Sequence, residues 1–186
     1  MKKYLFFIIY LLFSTIFLVR GQEANHIDYS NIKIGIENFD ELTLLSIMDS
    51  CRIAKCDLSE KFTSAYNEIR ALMHANNIGF TYYPIGITHF FDNVNYKFEA
   101  GIPIPPDKAN IKTTGRVFLS KTPSGKMVKA IHIGSYDTLK DTYNRISAYM
   151  NDKGLIQGDK SFEVYVNSPS TTPEEKLITW IFIPIK

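Results

Sequence analysis

The sequence predicts an α+β domain: a duplicated strand-helix-strand-strand unit whose antiparallel sheet carries its helices on one face and a ligand groove on the other. Three observations predict it. The Tyr-Asn-x-Ile of Tyr66–Ile69 recurs as Tyr143–Ile146, 77 residues later. Ile102-Pro103-Ile104 recurs as Ile183-Pro184-Ile185, 81 residues later. In both stretches a helical run precedes alternating apolar segments. An offset this long is no solenoid period, so the two copies, about 41–106 and 115–186, make one domain. Two half-sheets meeting across a pseudo-twofold leave a cleft, and small molecules bind at such junctions.

The chain begins with Lys2 and Lys3, then the 16-residue apolar run Tyr4–Val19 and Val19-Arg20-Gly21. This pattern predicts an export signal over 1–21, cut before Gln22, and a periplasmic or secreted protein. Sixteen residues fall short of the ~20 that span a bilayer, and a retained anchor is the alternative. Residues 22–40 are polar and mixed and read as an arm. Without residues 1–21 the chain carries 18 basic and 19 acidic residues, a net charge of −1. That gives nucleic acid no basic face to bind. A membrane partner is expected only if the N-terminal segment is retained.

Within 41–186, Leu42–Met48 reads as a strand. Leu58, Phe62, Tyr66, Ile69, Leu72 and Met73 recur at helical steps, with Asp57 as N-cap and Asn76-Asn77-Ile78-Gly79 as the stop. Thr81–Phe90 reads as a strand that Pro84 and Gly86 confine to an edge or a bend. Asp92–Asn95 is a turn, Tyr96–Ile104 the returning strand, and Pro105–Gly115 the connection between copies. Arg116–Leu119 and Met127–Ile133 are strands. The second helix, capped by Thr138, buries Leu139, Tyr143, Ile146, Tyr149 and Met150 and stops at Lys153-Gly154. Phe162–Asn167 and Leu177–Ile185 are the last strands, joined by a Pro/Thr-rich loop. Cys51 and Cys56 are the only cysteines. In an oxidising compartment they can close a local disulfide; two unpaired thiols are the alternative.

The ordered set His132-x-Gly134-x-Tyr136, Phe162-Glu163-Val164-Tyr165-Val166-Asn167-Ser168-Pro169, Thr171-Thr172-Pro173-Glu174-Glu175 and Thr179–Pro184 resembles the GyrI-like small-molecule-binding domain. This is the effector-binding domain of AraC-type and MerR-type regulators, in a fold group shared with haem-binding SOUL-type proteins. Phe98–Ile104 resembles the corresponding strand of the first copy. The resemblance covers about 42–186. It implies a saddle-shaped duplicated fold that binds ligands in a central groove, where a glutamate meets cationic ligands. Regulators of this kind carry a DNA-binding domain ahead of the effector domain; here an export signal and a polar arm are expected in that place.

Strand alternation sorts the site residues. With Phe162, Val164 and Val166 turned to the helices, Glu163, Tyr165 and Asn167 face the groove. With Ile181, Ile183 and Ile185 turned to the helices, Trp180, Phe182 and Pro184 face it. Glu99 faces it from the first copy, as the counterpart of Glu163, and Thr88 and Phe90 line the opposite wall. The expected ligand-binding set is therefore Glu163, Tyr165, Trp180, Phe182, Glu99, Thr88 and Phe90. Carboxylates among aromatic faces suit flat or cationic organic molecules. In an enzymatic alternative, a hydrolase, Glu163 or Glu99 is the general base and Tyr165 the acid or orienter. A third reading is a structural or partner-binding module. His26, His74, His89 and His132 lack metal-ligand spacing, and no nucleophile or phosphate-loop motif is present, so neither metal nor cofactor is expected.

Overall fold

The computed structural model describes residues 33–186. The expected export signal, 1–21, lies outside the described residues. In chain order the elements are β1 (Ile34–Phe39), β2 (Thr43–Arg52), α1 (Leu58–Ala75), β3 (Ile85–Phe91), β4 (Asn95–Pro103), β5 (Phe118–Lys121), β6 (Gly125–Ile133), α2 (Leu139–Asp152), β7 (Phe162–Tyr165) and β8 (Ile178–Pro184). The eight strands form one sheet in the order β1-β6-β8-β7-β3-β4-β2-β5, with every pair antiparallel. The polar arm expected over 22–40 is an integral strand in its described part. Ile34 and Ile36 alternate with Gly35 and Glu37, and β1 pairs with β6 along its whole length.

The duplication is visible in the register. At the centre Gly86 of β3 lies opposite Glu163 of β7. Gly86 also pairs with Ala100 of β4, and Glu163 with Ile181 of β8. Ala100 and Ile181 are therefore equivalent, at the same offset as the two Ile-Pro-Ile segments. It follows that Glu163 corresponds to Gly86, and Glu99 to Trp180. Glu99 is not the counterpart of Glu163.

Both helices pack on one face. α1 buries Ala65, Tyr66, Ile69 and Met73 against Leu45, Ile47, Ala100 and Ile102. α2 buries Leu139, Tyr143, Ile146 and Met150 against Val128, Ala130, Ile181 and Ile183. Asp57 caps α1 as expected, its Oδ1 accepting the Glu60 amide at 2.9 Å. Thr138 does not cap α2; its hydroxyl donates instead to the Ser135 carbonyl at 2.8 Å.

The opposite face is not free. β1 runs into β2 and β5 into β6 through short bends, and their pairing holds one register across both: Phe39 lies opposite Gly125 and Thr43 opposite Lys121. Leu42 and Thr122 stitch the bend, with the Leu42 amide donating to Thr122 Oγ1 and the Thr122 amide to the Leu42 carbonyl. The sheet thus curls until its two ends meet, and its inner face fills with Leu44, Ile85, Ile87, Met127, Phe162, Val164 and Phe182. Phe39 packs on both Phe162 and Phe182, at ring-centroid distances of 4.9 and 4.8 Å. Burial of these side chains stabilises the fold at roughly 25 cal/mol per Å² of apolar surface, and among the described residues it fills the face that was expected to carry the groove.

Cys51 and Cys56 are joined by a disulfide, with their Cα atoms 5.7 Å apart. It sits beside a small cluster of Leu58, Tyr96 and Phe98 and so secures the approach to α1.

Candidate functional site

α1 and the turn entering α2 stand on either side of the central strands, and between them lies a cavity of about 950 Å³. It is on the helix-bearing face, not the opposite one. α1 supplies Leu58, Phe62, Tyr66 and Arg70, four residues apart and hence on one stripe. β7 supplies Glu163 and Tyr165, two apart and hence on one side of the sheet. The segment from Phe80 to Pro84 and the tyrosines Tyr96 and Tyr136 complete the wall.

Glu163 lies at the floor of this space, 8% exposed. Its Oε1 accepts from Tyr143 Oη at 2.6 Å and its Oε2 from Tyr165 Oη at 2.9 Å. Burial pushes the carboxyl above the ordinary glutamate range, and the two phenol hydrogen bonds pull it back only in part. None of the ion pairs among the described residues includes Glu163. Burial also raises the surrounding phenols, with the Glu163 charge adding to the effect at Tyr66, Tyr96, Tyr143 and Tyr165. Tyr136 is pushed up to about 12, for the same two reasons. All five therefore stay neutral near pH 7.

The backbone accommodates this arrangement at Gly86. A Cβ there would lie 2.8 Å from Tyr165 Oη and 3.2 Å from the Phe62 ring, so glycine lets Tyr165 lie over β3. β3 is thus a central strand, not the edge or bend that Pro84 and Gly86 suggested. Pro84 precedes its first residue, where no ladder donor is lost. The two repeat-related tyrosines diverge in use. Tyr66 Oη donates to the Ile85 carbonyl at 3.0 Å, whereas Tyr143 Oη donates to Glu163. Tyr136 meets the Tyr165 ring at 5.8 Å between centroids. Its turn is held by buried His132, whose Nε2 donates to the Ser135 carbonyl at 3.1 Å while Nδ1 accepts from the Thr142 hydroxyl at 2.8 Å.

Of the expected residues, the structure brings Glu163 and Tyr165 together in the cavity. They face the helices, and Phe162 and Val164 face away, the reverse of the expected assignment for β7. For β8 the alternation is as expected, but the face turned from the helices is the filled one. Phe182 is 1% exposed and stacked on Phe162 at 4.8 Å. Trp180 packs edge-on against Tyr82 and Tyr83, with Lys129 Nζ 4.6 Å from its ring centroid. Glu99 is buried away from the cavity. Burial raises its pKa, but hydrogen bonds from His89 (2.8 Å), Ser120 and Ser46 outweigh this and hold the carboxyl below its ordinary range. Thr88 Oγ1 lies 3.3 Å from Tyr96 Oη, behind the wall. Phe90 is 52% exposed, beyond a bulge between Thr88 and Phe90 that turns it outward. Asn167 lines the mouth, yet its amide is engaged with the Lys176 carbonyl and the Ile178 amide. Sequence reasoning missed Phe62, Tyr66, Arg70, Tyr96, Tyr136 and Tyr143 as cavity or carboxylate partners. For Tyr66 and Tyr143 the signal was present, because both lead the repeated Tyr-Asn-x-Ile.

The family described as the GyrI-like small molecule binding domain matches residues 33–186. Comparison with curated proteins finds no match. Among solved structures, the EcmrR C-terminal domain is similar at TM-score 0.72 and 18% identity, covering 83% of this chain and 98% of that one. In the EcmrR–DNA complex the same similarity spans 57% of the EcmrR chain. A hydrolase from Listeria innocua is similar at TM-score 0.62 and 16% identity, covering 83% of this chain and 92% of that one. SAV2435 bound to tetraphenylphosphonium is similar at TM-score 0.57 and 14% identity, covering 83% and 94%.

Proposed function

This chain belongs to the GyrI-like small-molecule-binding family, and from that premise we propose that it binds flat or cationic organic molecules in the cavity between its helices, with Glu163 as the counter-charge. The observation that carries the reading is a buried carboxylate with no cationic partner among the described residues, ringed by neutral tyrosines. A buried unpaired charge is costly, so an entering cation supplies what the fold withholds. Aromatic faces add about 0.5–2 kcal/mol for each cation contact. SAV2435, in complex with tetraphenylphosphonium, offers a relative with a ligand of this class. We further propose that the domain works outside the cytoplasm, on the strength of Lys2, Lys3 and the apolar run Tyr4–Val19, and without a nucleic-acid partner. Its role would be to buffer, sense or scavenge such compounds.

A titration with tetraphenylphosphonium, read by calorimetry, tests this. Glu163→Gln should weaken the cation by about tenfold or more, as removing one member of a buried charge pair does. Binding of the uncharged triphenylphosphine oxide should change less than about twofold. Equal losses for both compounds would contradict the electrostatic role.

A hydrolase is the second reading, favoured by the raised Glu163 pKa and by the Listeria innocua hydrolase of the same fold. Glu163 would then take a proton from an attacking water while Tyr165 orients the substrate. Turnover of bound compounds that disappears in Glu163→Gln would support it; binding without turnover leaves the first reading.

A further inference from the structure

The cavity read above as a cation site also presents a cation of its own. Arg70 extends the stripe of Leu58, Phe62 and Tyr66, one turn beyond Tyr66 and so ~6 Å further along the helix axis. Its guanidinium lies over the Tyr66 ring, 5.9 Å from the centroid, and Nη1 donates to Asn67 Oδ1 at 3.3 Å. None of the ion pairs among the described residues uses Arg70, and the adjacent Glu68 carboxylate is taken by Arg116 at 2.9 Å. The cavity therefore has a carboxylate at its floor and an oriented guanidinium at its rim. Among the described residues neither has a charged partner, and Tyr66, whose ring lies under the guanidinium, lines the same cavity. A purely cationic ligand long enough to reach the rim meets Arg70 as a like charge. A ligand carrying an acid at its outer end meets instead a planar fork suited to carboxylate or phosphate.

We propose that the preferred ligands are zwitterions: an aromatic cation held over Glu163 that bears a carboxylate, sulfonate or phosphate on an arm reaching Arg70. This rests on the cation reading of the same cavity and adds its acidic half.

The test compares (5-carboxypentyl)triphenylphosphonium with its methyl ester, which differ in one negative charge at the end of the same arm. The wild-type protein should bind the acid about fivefold tighter than the ester, the size expected for a partly exposed ion pair. In Arg70→Gln the ratio should fall to about one, while Arg70→Lys keeps part of it. The preference should also shrink from low to high salt, a readout that needs no variant. Glu163→Gln should weaken both compounds together. A wild-type ratio of one or below, or a ratio that survives in Arg70→Gln, overturns the inference. If both compounds bind equally well, only the acidic half is lost; if neither binds, the cation reading fails with it.

Discussion

With Glu163 as the proposed counter-charge, binding and stability pull in opposite directions there. Burial holds the folded-state pKa above that of the unfolded chain, so ionising this group costs folding stability. The cost is absent below the unfolded-state value, develops as the pH rises through the raised folded-state pKa, and is complete above it. Glu163→Gln removes it. Thermal melts should therefore show the variant gaining Tm over wild type as the pH goes from 5 to 8, even as the cation binds less well. A gap that narrows towards pH 8 would mean that the carboxylate is stabilised by its surroundings and has no need of a ligand. Binding should follow the opposite course in the wild type. Affinity for tetraphenylphosphonium should fall on acidification, beginning at a higher pH than an ordinary glutamate would give, because the cation takes the ionised form.

At the scale of elements, the sequence was most legible where one face of an element is wet. α1 and α2 followed from apolar spacing, and they begin at Leu58 and Leu139, close to where the pattern put them. β7 takes the orientation opposite to the expected one because both its faces are buried. Phe162 and Val164 enter the curled interior, Glu163 and Tyr165 enter the cavity, and alternation cannot say which side bears the helices. Gly86 marks the same junction. Gly86→Ala places a methyl against Tyr165 and Phe62 and should cost about 1–3 kcal/mol in urea unfolding, with a matching loss of ligand affinity. Unchanged stability and binding would show that Tyr165 does not need to lie over β3. The Cys51–Cys56 disulfide acts on the element that follows it. Replacing both cysteines by serine should cost about 2 kcal/mol from the short loop alone, measured in the same unfolding experiment.

For the molecule as a whole, the duplication was legible and its consequence was not. The repeated Ile-Pro-Ile marks equivalent strands, and residues of both copies line the cavity, but on the helix-bearing face and not on the opposite one. What sequence spacing could not reveal is the curl that closes the far face. That closure depends on β1, a strand that the polar character of its neighbours concealed, and on a register continuous through two bends. Trp180 and Phe182, expected in a groove, therefore lie on the filled side of the sheet. A crystal structure of the domain with tetraphenylphosphonium would locate the bound cation directly. The phosphonium should lie between α1 and the turn entering α2, over the Glu163 carboxylate and against Tyr66 and Tyr165. A ligand seated instead beside Trp180, with the inter-helix cavity unfilled, would contradict that placement.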